Sequence, residues 1–232
     1  MTLEVHPLTG IGLVEHGDDI AEVLAPPLER IPPLPGDLVV VTHKIVSKSE
    51  GAVRVIEGEE EEFKRSLVEE IARSVVRRRG NLIIAETRHG FICANAGVDR
   101  SNAPIGTIIL LPDDPDRSAH RIRKRLEQIF GFDMPVIISD TFGRPWRRGL
   151  TDVAIGVSGL LAIKDLKGTK DWAGRDLEVT EVAVADEIAA AADLVMGKAT
   201  GVPAALVRGY EGPRGDGRGS DLIRPVEEDL FR

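Results

Sequence analysis

The sequence predicts an α+β fold, a mixed α/β arrangement of sheets with flanking helices. Strand-sized apolar runs recur along the 232 residues while only four stretches show helical periodicity, whereas a doubly wound sheet alternates helices and strands regularly. Glycine and proline, 24 and 14 residues, punctuate the runs throughout, so elements are short and connections tight. With 42% hydrophobic and 29% charged residues, the chain can fill an ordinary core.

Residues 3–8 predict a short strand, followed by the loop TGIGL at 9–13. Asp18 and Asp19 open an amphipathic helix at the end that favours negative charge, and the Pro26-Pro27 pair is expected to break it. A turn at 32–36 precedes a buried strand at 38–42, and 47–51 leads into a strand at 52–56. One helix is predicted over 59–79, because four glutamates begin it, Arg77, Arg78 and Arg79 end it, and Phe63, Leu67, Ile71 and Val75 mark one face. Strands are expected at 82–85, 91–94 and 107–111, then a helix at 116–130 closed by Gly131. A buried strand at 134–139, a glycine-interrupted strand at 153–163, an alanine-rich helix at 181–196 and a strand at 204–207 complete the order. Residues 211–219 (EGPRGDGRG) look too polar and flexible to pack. The expected division is a first lobe of 1–57 plus 178–232 and an inserted second lobe of 58–177, together one functional unit.

Several classes of function are excluded. No apolar run approaches the roughly 20 residues of a membrane span, and the amino terminus lacks a signal-peptide pattern. One cysteine, Cys93, permits neither an internal disulfide nor a cysteine zinc cage, so a soluble cytoplasmic protein is expected. A net charge of −8 and 4% aromatic residues argue against nucleic-acid binding. GxxxxGK[ST], HExxH and GxSxG motifs are absent, which excludes a standard P-loop NTPase.

Four segments could carry chemistry. The loop from Gly10 to Gly17 (GIGLVEHG) stands between strand and helix, where backbone N–H groups either cradle a phosphate or simply make a tight turn. Lys44 and Lys48 follow a buried strand, as phosphate-binding lysines or as surface charges. Asp99 lies with Asn95 and Asn102 in a glycine-containing turn, and Asp140 ends the strand PVIIS. Carboxylates at strand ends are common oxygen donors to Mg²⁺ or Mn²⁺, and Arg144, Arg147 and Arg148 follow Asp140 closely. Taken singly, either aspartate also fits a turn or cap. Together the segments suggest a divalent metal beside a polyanion, and hence phosphoryl transfer or hydrolysis.

At these segments the chain closely resembles the coenzyme F420-0:L-glutamate ligase family, also called gamma-glutamyl ligase or CofE-like. The matching runs are GDLVVVTHKIVSKSEG (36–51), NAGVDRSN (95–102), ISDTFGRPWRRG (138–149) and a long stretch at 177–209. The resemblance implies a GTP-dependent ligase that joins L-glutamate to the lactyl carboxylate of coenzyme F420-0, a deazaflavin, through an acyl phosphate, with γ-linked glutamates as further additions. It also implies two divalent cations, Mg²⁺ or Mn²⁺, a monovalent cation such as K⁺, and a homodimer of two interwoven lobes. Metal ligands fall on Asp99, Asp140 and Thr141. Nucleotide contacts fall on Ile11, Gly12, Leu13, Val14, His43, Lys44, Lys48, Asn102, Met196, Gly197, Lys198, Ala199, Thr200, Gly201 and Val202. With Asp99 and Asp140, Arg144 is expected in the catalytic group, and Arg147 and Arg148 on substrate phosphate by charge.

Two positions depart from the family pattern. Some members carry Ser in place of His43. Archaeal members carry a Glu metal ligand where Lys198 stands, and a charged lysine cannot bind a cation; either the second metal is held otherwise or Lys198 supplies part of its charge. The sequence ends at Arg232 without the nitroreductase-like domain of the fused form, so the stand-alone ligase is expected. The alternatives are a related amide ligase acting on another phosphorylated carboxylate, an NADP-binding oxidoreductase using the first glycine loop, and a non-catalytic nucleotide-binding partner.

Overall fold

The computed structural model describes residues 2–230. The chain runs β1 (Glu4–Pro7), α1 (Ile20–Arg30), β2 (Leu38–Thr42), α2 (His43–Ser49), β3 (Val53–Val55), α3 (Glu60–Ile71), β4 (Ser74–Arg79), β5 (Leu82–Glu86) and β6 (Ile92–Ala94). It continues through β7 (Thr107–Ile109), α4 (Pro115–Phe130), β8 (Val136–Arg144), β9 (Arg147–Ser158), β10 (Lys164–Asp165), β11 (Glu181–Val182), α5 (Val184–Met196) and β12 (Ala204–Arg208). The expected α+β class holds.

Five strands form the main sheet in the order β1-β12-β2-β8-β9, with β2 and β8 parallel and the other pairs antiparallel. Because successive side chains point to opposite faces, the run LVVV of β2 divides cleanly. Val39 and Val41 join Val136, Ile138 and Leu206 under α1 and α4, and Leu38 and Val40 join Ile137, Ala205 and Val207 under α5. A strand covered on both faces has no polar positions to alternate, which is why these runs are continuously apolar. On α5, Ala185, Ala189 and Ala192 are buried; small side chains there let the helix lie close to the sheet. A separate apolar cluster, including Leu67, Val68, Ile83, Val98 and Ile108, joins α3 to the sheets β4-β5-β6 and β3-β7. The main sheet takes β8 and β9 from within residues 58–177 and its other strands from outside them.

Several local expectations are corrected. Pro26 and Pro27 do not break α1 but lie inside it, with Leu24, Pro27 and Leu28 buried; packing of that face offsets a proline cost of about 3 kcal/mol. The helix expected to Arg79 stops at Ile71, its C-cap Ala72 turning to φ −71°, ψ 136°. Beyond it Val75 and Val76 favour an extended chain, and Arg77, Arg78 and Arg79 lie on β4, paired with β5 across the Gly80-Asn81 turn. The strand at 134–139 extends to Arg144 and meets β9 in a hairpin closed by Pro145-Trp146. The helix expected from Glu181 starts at Val184, because Glu181 and Val182 pair with β10. Residues 211–219 do pack: Gly217 donates to the Leu160 carbonyl at 3.2 Å and Gly219 to Asp116 Oδ1 at 2.7 Å.

Candidate active site

Strand β2 ends at Thr42, and its extended N-cap geometry (φ −68°, ψ 140°) starts α2 at once. Burial of the strand therefore fixes the first turn of a helix over residues to which the sequence assigned no element. His43 is buried, with Nδ1 3.3 Å from Ser47 Oγ, and its Nε2 lies 3.2 Å from Asp140 Oδ1, out of line for a hydrogen bond. The next residue, Lys44, places Nζ 2.7 Å from Asp99 Oδ2 and also reaches Ser101 Oγ. Two consecutive residues thus face two aspartates from distant parts of the chain.

Asp99 is delivered by an unusual turn. Asn95, Ala96 and Gly97 all take positive φ (52°, 51° and 75°), a conformation L residues adopt only when surroundings enforce it. Asn95 Oδ1 accepts from the Ile83 N–H at 3.1 Å, and a Cβ at Gly97 would stand 2.6 Å from Leu111. The backbone of Asp99 then pairs with Ile109. Burial would raise the Asp99 pKa, yet hydrogen bonds from Lys44 and Ser101 and the Lys44 charge hold it below the usual value, so it is a carboxylate at neutral pH.

On β8 a bulge between Ile138 and Ser139 precedes Asp140; such irregularities re-aim side chains beside functional sites. Asp140 Oδ1 accepts from the Thr141 N–H at 2.7 Å. Cys93 is pushed up to about 12, first by burial and then by the Asp140 charge, so its thiol stays protonated and is no nucleophile. Thr141 points to the other face. Its Oγ1 donates to Asp152 Oδ1 at 2.7 Å, and Ser139 Oγ donates to Asp152 Oδ2 at 2.9 Å. Lys198 Nζ sits among Asp152 Oδ1 (2.6 Å), Asp193 Oδ1 (2.6 Å) and Thr141 Oγ1 (2.7 Å). Burial lowers the Lys198 pKa, but its two carboxylate partners outweigh that and raise it.

The other expected residues are placed less tightly. The loop of Ile11, Gly12, Leu13 and Val14 is anchored by buried Val14 and leaves Gly12 open. Its far end is tied to α2 by Gly17 N–H donating to the Ser49 carbonyl at 2.9 Å, which brings it near Lys48. The Lys48 pKa is lowered, by burial first and Lys44 second. Asn102 is exposed at φ 59° in the turn after Asp99. Past buried Met196, residues Gly197, Ala199, Thr200, Gly201 and Val202 form the turn that carries Lys198, with Gly197 N–H bonded to the Asp193 carbonyl at 2.8 Å. Arg144, Arg147 and Arg148 stand on the hairpin tip, Arg144 donating to the Arg148 carbonyl at 2.7 Å. Four residues of strand, about 13 Å, separate Arg144 from Asp140. Sequence reasoning missed Asp152 and Asp193; both lie within elements, with no turn or strand end to flag them.

On the α2 side Asp99 and Asp140 are the carboxylates that could serve a divalent ion, and Lys44 Nζ, 2.7 Å from Asp99 Oδ2, would have to give way to it there. Magnesium takes one or two carboxylates and fills its shell with phosphate oxygens and water. Asp99 and Asp140 would hold it, and among the described residues the buried His43 Nε2 has no hydrogen-bond partner. Among the described residues no three His, Cys, Asp or Glu side chains converge, so ligand oxygens would complete the shell. On the Thr141 side the Lys198 ammonium already occupies the place between the oxygens, and the residues do not fit a second divalent ion there while Lys198 is charged.

The fold is of the α+β class, and carboxylates and lysines gather near the ends of β2 and β8. The family described as F420-0:Gamma-glutamyl ligase matches residues 10–209. "Coenzyme F420:L-glutamate ligase" of Methanocaldococcus jannaschii is 47% identical over 213 residues, 85% of each chain. The proteins of that name from Methanothermobacter thermautotrophicus (45%, all of both chains) and Methanopyrus kandleri (43%, 100% of this chain and 98% of the relative) are similar throughout. The chain belongs to the F420-0:gamma-glutamyl ligase family and is a ligase. No helix among the described residues is long and apolar enough to cross a membrane.

Proposed function

We propose that the chain joins L-glutamate to the lactyl carboxylate of coenzyme F420-0 at the expense of GTP, and then adds γ-linked glutamates. The observation that carries this reading is the pairing at the head of α2, where His43 faces Asp140 and Lys44 faces Asp99. Lys44 and Lys48 bind the nucleotide phosphates. Lys48 is half-buried and next to a second lysine, so an arriving phosphate supplies the counter-charge it lacks. The glycine loop, tied to the end of α2, offers backbone N–H groups to the same phosphates.

The acceptor carboxylate oxygen attacks the γ-phosphorus, the bond to the β–γ bridging oxygen breaks, and GDP leaves. The glutamate amine then attacks the acyl carbon, and phosphate and a proton are released. Asp99 and Asp140 would hold a divalent ion, which when bound would supply charge neutralisation at the phosphates. Lys198 keeps a fixed positive charge on the far face of β8. A homodimer is part of the reading: Trp146 and Leu150 stand exposed on the hairpin tip, apolar surface of the kind subunit contacts cover.

The test is Asp140→Asn, which preserves shape and removes charge. It should cut turnover by orders of magnitude and leave the melting temperature close to wild type; full activity in the variant would remove Asp140 from the mechanism.

A further inference from the structure

At the opposite end of α2 from His43 and Lys44 lies a cavity of about 430 Å³, within the size range of small-molecule sites. Helix α2 has seven residues, so the two ends are about 10 Å apart at 1.5 Å per residue. One wall is apolar, made by Ile71, Leu110 and Leu111, and Arg54, Arg88, Arg117 and Arg121 surround it.

Two of these arginines are neutralised within the chain. Arg121 pairs with Glu50, which also accepts from Ser118 Oγ, and Arg88 pairs with Asp113. The third lining carboxylate, Asp114, caps α4 by accepting from the Arg117 backbone N–H at 3.0 Å. That leaves the Arg54 and Arg117 guanidiniums without a carboxylate among the described residues, Arg54 donating only to the Val53 carbonyl at 3.2 Å. Acidic side chains are plentiful in a chain of net charge −8, so two uncompensated guanidiniums beside an apolar wall call for an outside partner. A guanidinium fork matches the paired oxygens of phosphate or carboxylate, and the apolar wall suits a carbon body more than a bare ion.

We propose that this cavity is a second binding site, for an organic oxyanion: a phosphate or carboxylate borne on an apolar or aromatic body. The site does not depend on the ligase reading. The shared chemistry has two sources, an anionic part of a substrate reaching past α2, or a separate small anion that regulates the enzyme.

The experiment is calorimetric titration of the full chain with phenyl phosphate, with inorganic phosphate for comparison. Phenyl phosphate should bind more tightly than inorganic phosphate. The double variant Arg54→Gln/Arg117→Gln, at two exposed positions, should lose about tenfold in phenyl phosphate affinity, the size of one charge-assisted hydrogen bond. Arg77→Gln/Arg79→Gln removes the same charge from β4 and should leave the affinity unchanged. Displacement of phenyl phosphate by coenzyme F420-0 or by L-glutamate assigns the cavity to a substrate; displacement only by a small dicarboxylate that is neither, such as succinate, assigns it to an effector. Equal affinity in wild type and the Arg54/Arg117 variant, or no preference over inorganic phosphate, overturns the proposal. No turnover is read, so that failure leaves the ligase reading standing, and loss of the ligase reading leaves this one.

Discussion

Asp152 is 2% exposed and serves three donors at once, Ser139, Thr141 and Lys198. In sequence it is one polar residue in RRGLTDVAIG, and only the β8–β9 register, which sets it opposite Thr141, gives it a role. Removing one member of a buried charged network leaves the rest uncompensated. Asp152→Ala should therefore cost about 3 kcal/mol in urea unfolding, and Lys198→Met less, because Lys198 is half-exposed. The two variants should be far from additive, since they share one network. The pH dependence follows from the raised Lys198 pKa. The stabilisation is complete below lysine's ordinary 10.5 and is lost as pH rises through the higher folded value. Wild type should lose urea resistance in that alkaline window, and Lys198→Met should lose correspondingly less.

Among the elements, the deeply buried strands were legible and the short polar ones were not. Residues 38–42 emerge as β2 because both faces are covered and the apolar run is unbroken. Arg77–Arg79 misled because a basic run suits a helix C-terminus as well as a strand edge; the Gly80-Asn81 pair was the hairpin signal. Helix α2 escaped notice because seven residues give too few turns for periodicity to show. Two glycine substitutions test the packing. A Cβ at Gly156 would meet the Pro115 carbonyl oxygen at 2.4 Å, so Gly156→Ala should lower stability by about 1–3 kcal/mol, read by thermal melting. At Gly12 a Cβ meets nothing within 4 Å. Gly12→Ala should stay within about 0.5 kcal/mol of wild type, and a loss of nucleotide affinity in it would report the loop's approach to phosphate.

Across the whole molecule, the site draws on segments that only the fold unites: α2, the turn before Asp99, the end of β8, and the turn after α5. Lys44, Lys48, Asp99 and Asp140 stood out in the sequence because charge at the end of an apolar strand is conspicuous. Their partners did not, since a contact such as Lys44 with Ser101, 57 residues apart, leaves no local trace. The most direct test of the central claim is phosphate release from GTP and from ATP, with Mg²⁺ or Mn²⁺, measured with and without coenzyme F420-0 and L-glutamate, and with products weighed by mass spectrometry. The predicted result is GTP turnover that requires both substrates and a product heavier by one or more glutamyl units. Nucleotide hydrolysis indifferent to both substrates, or a product without any glutamyl increment, would contradict it.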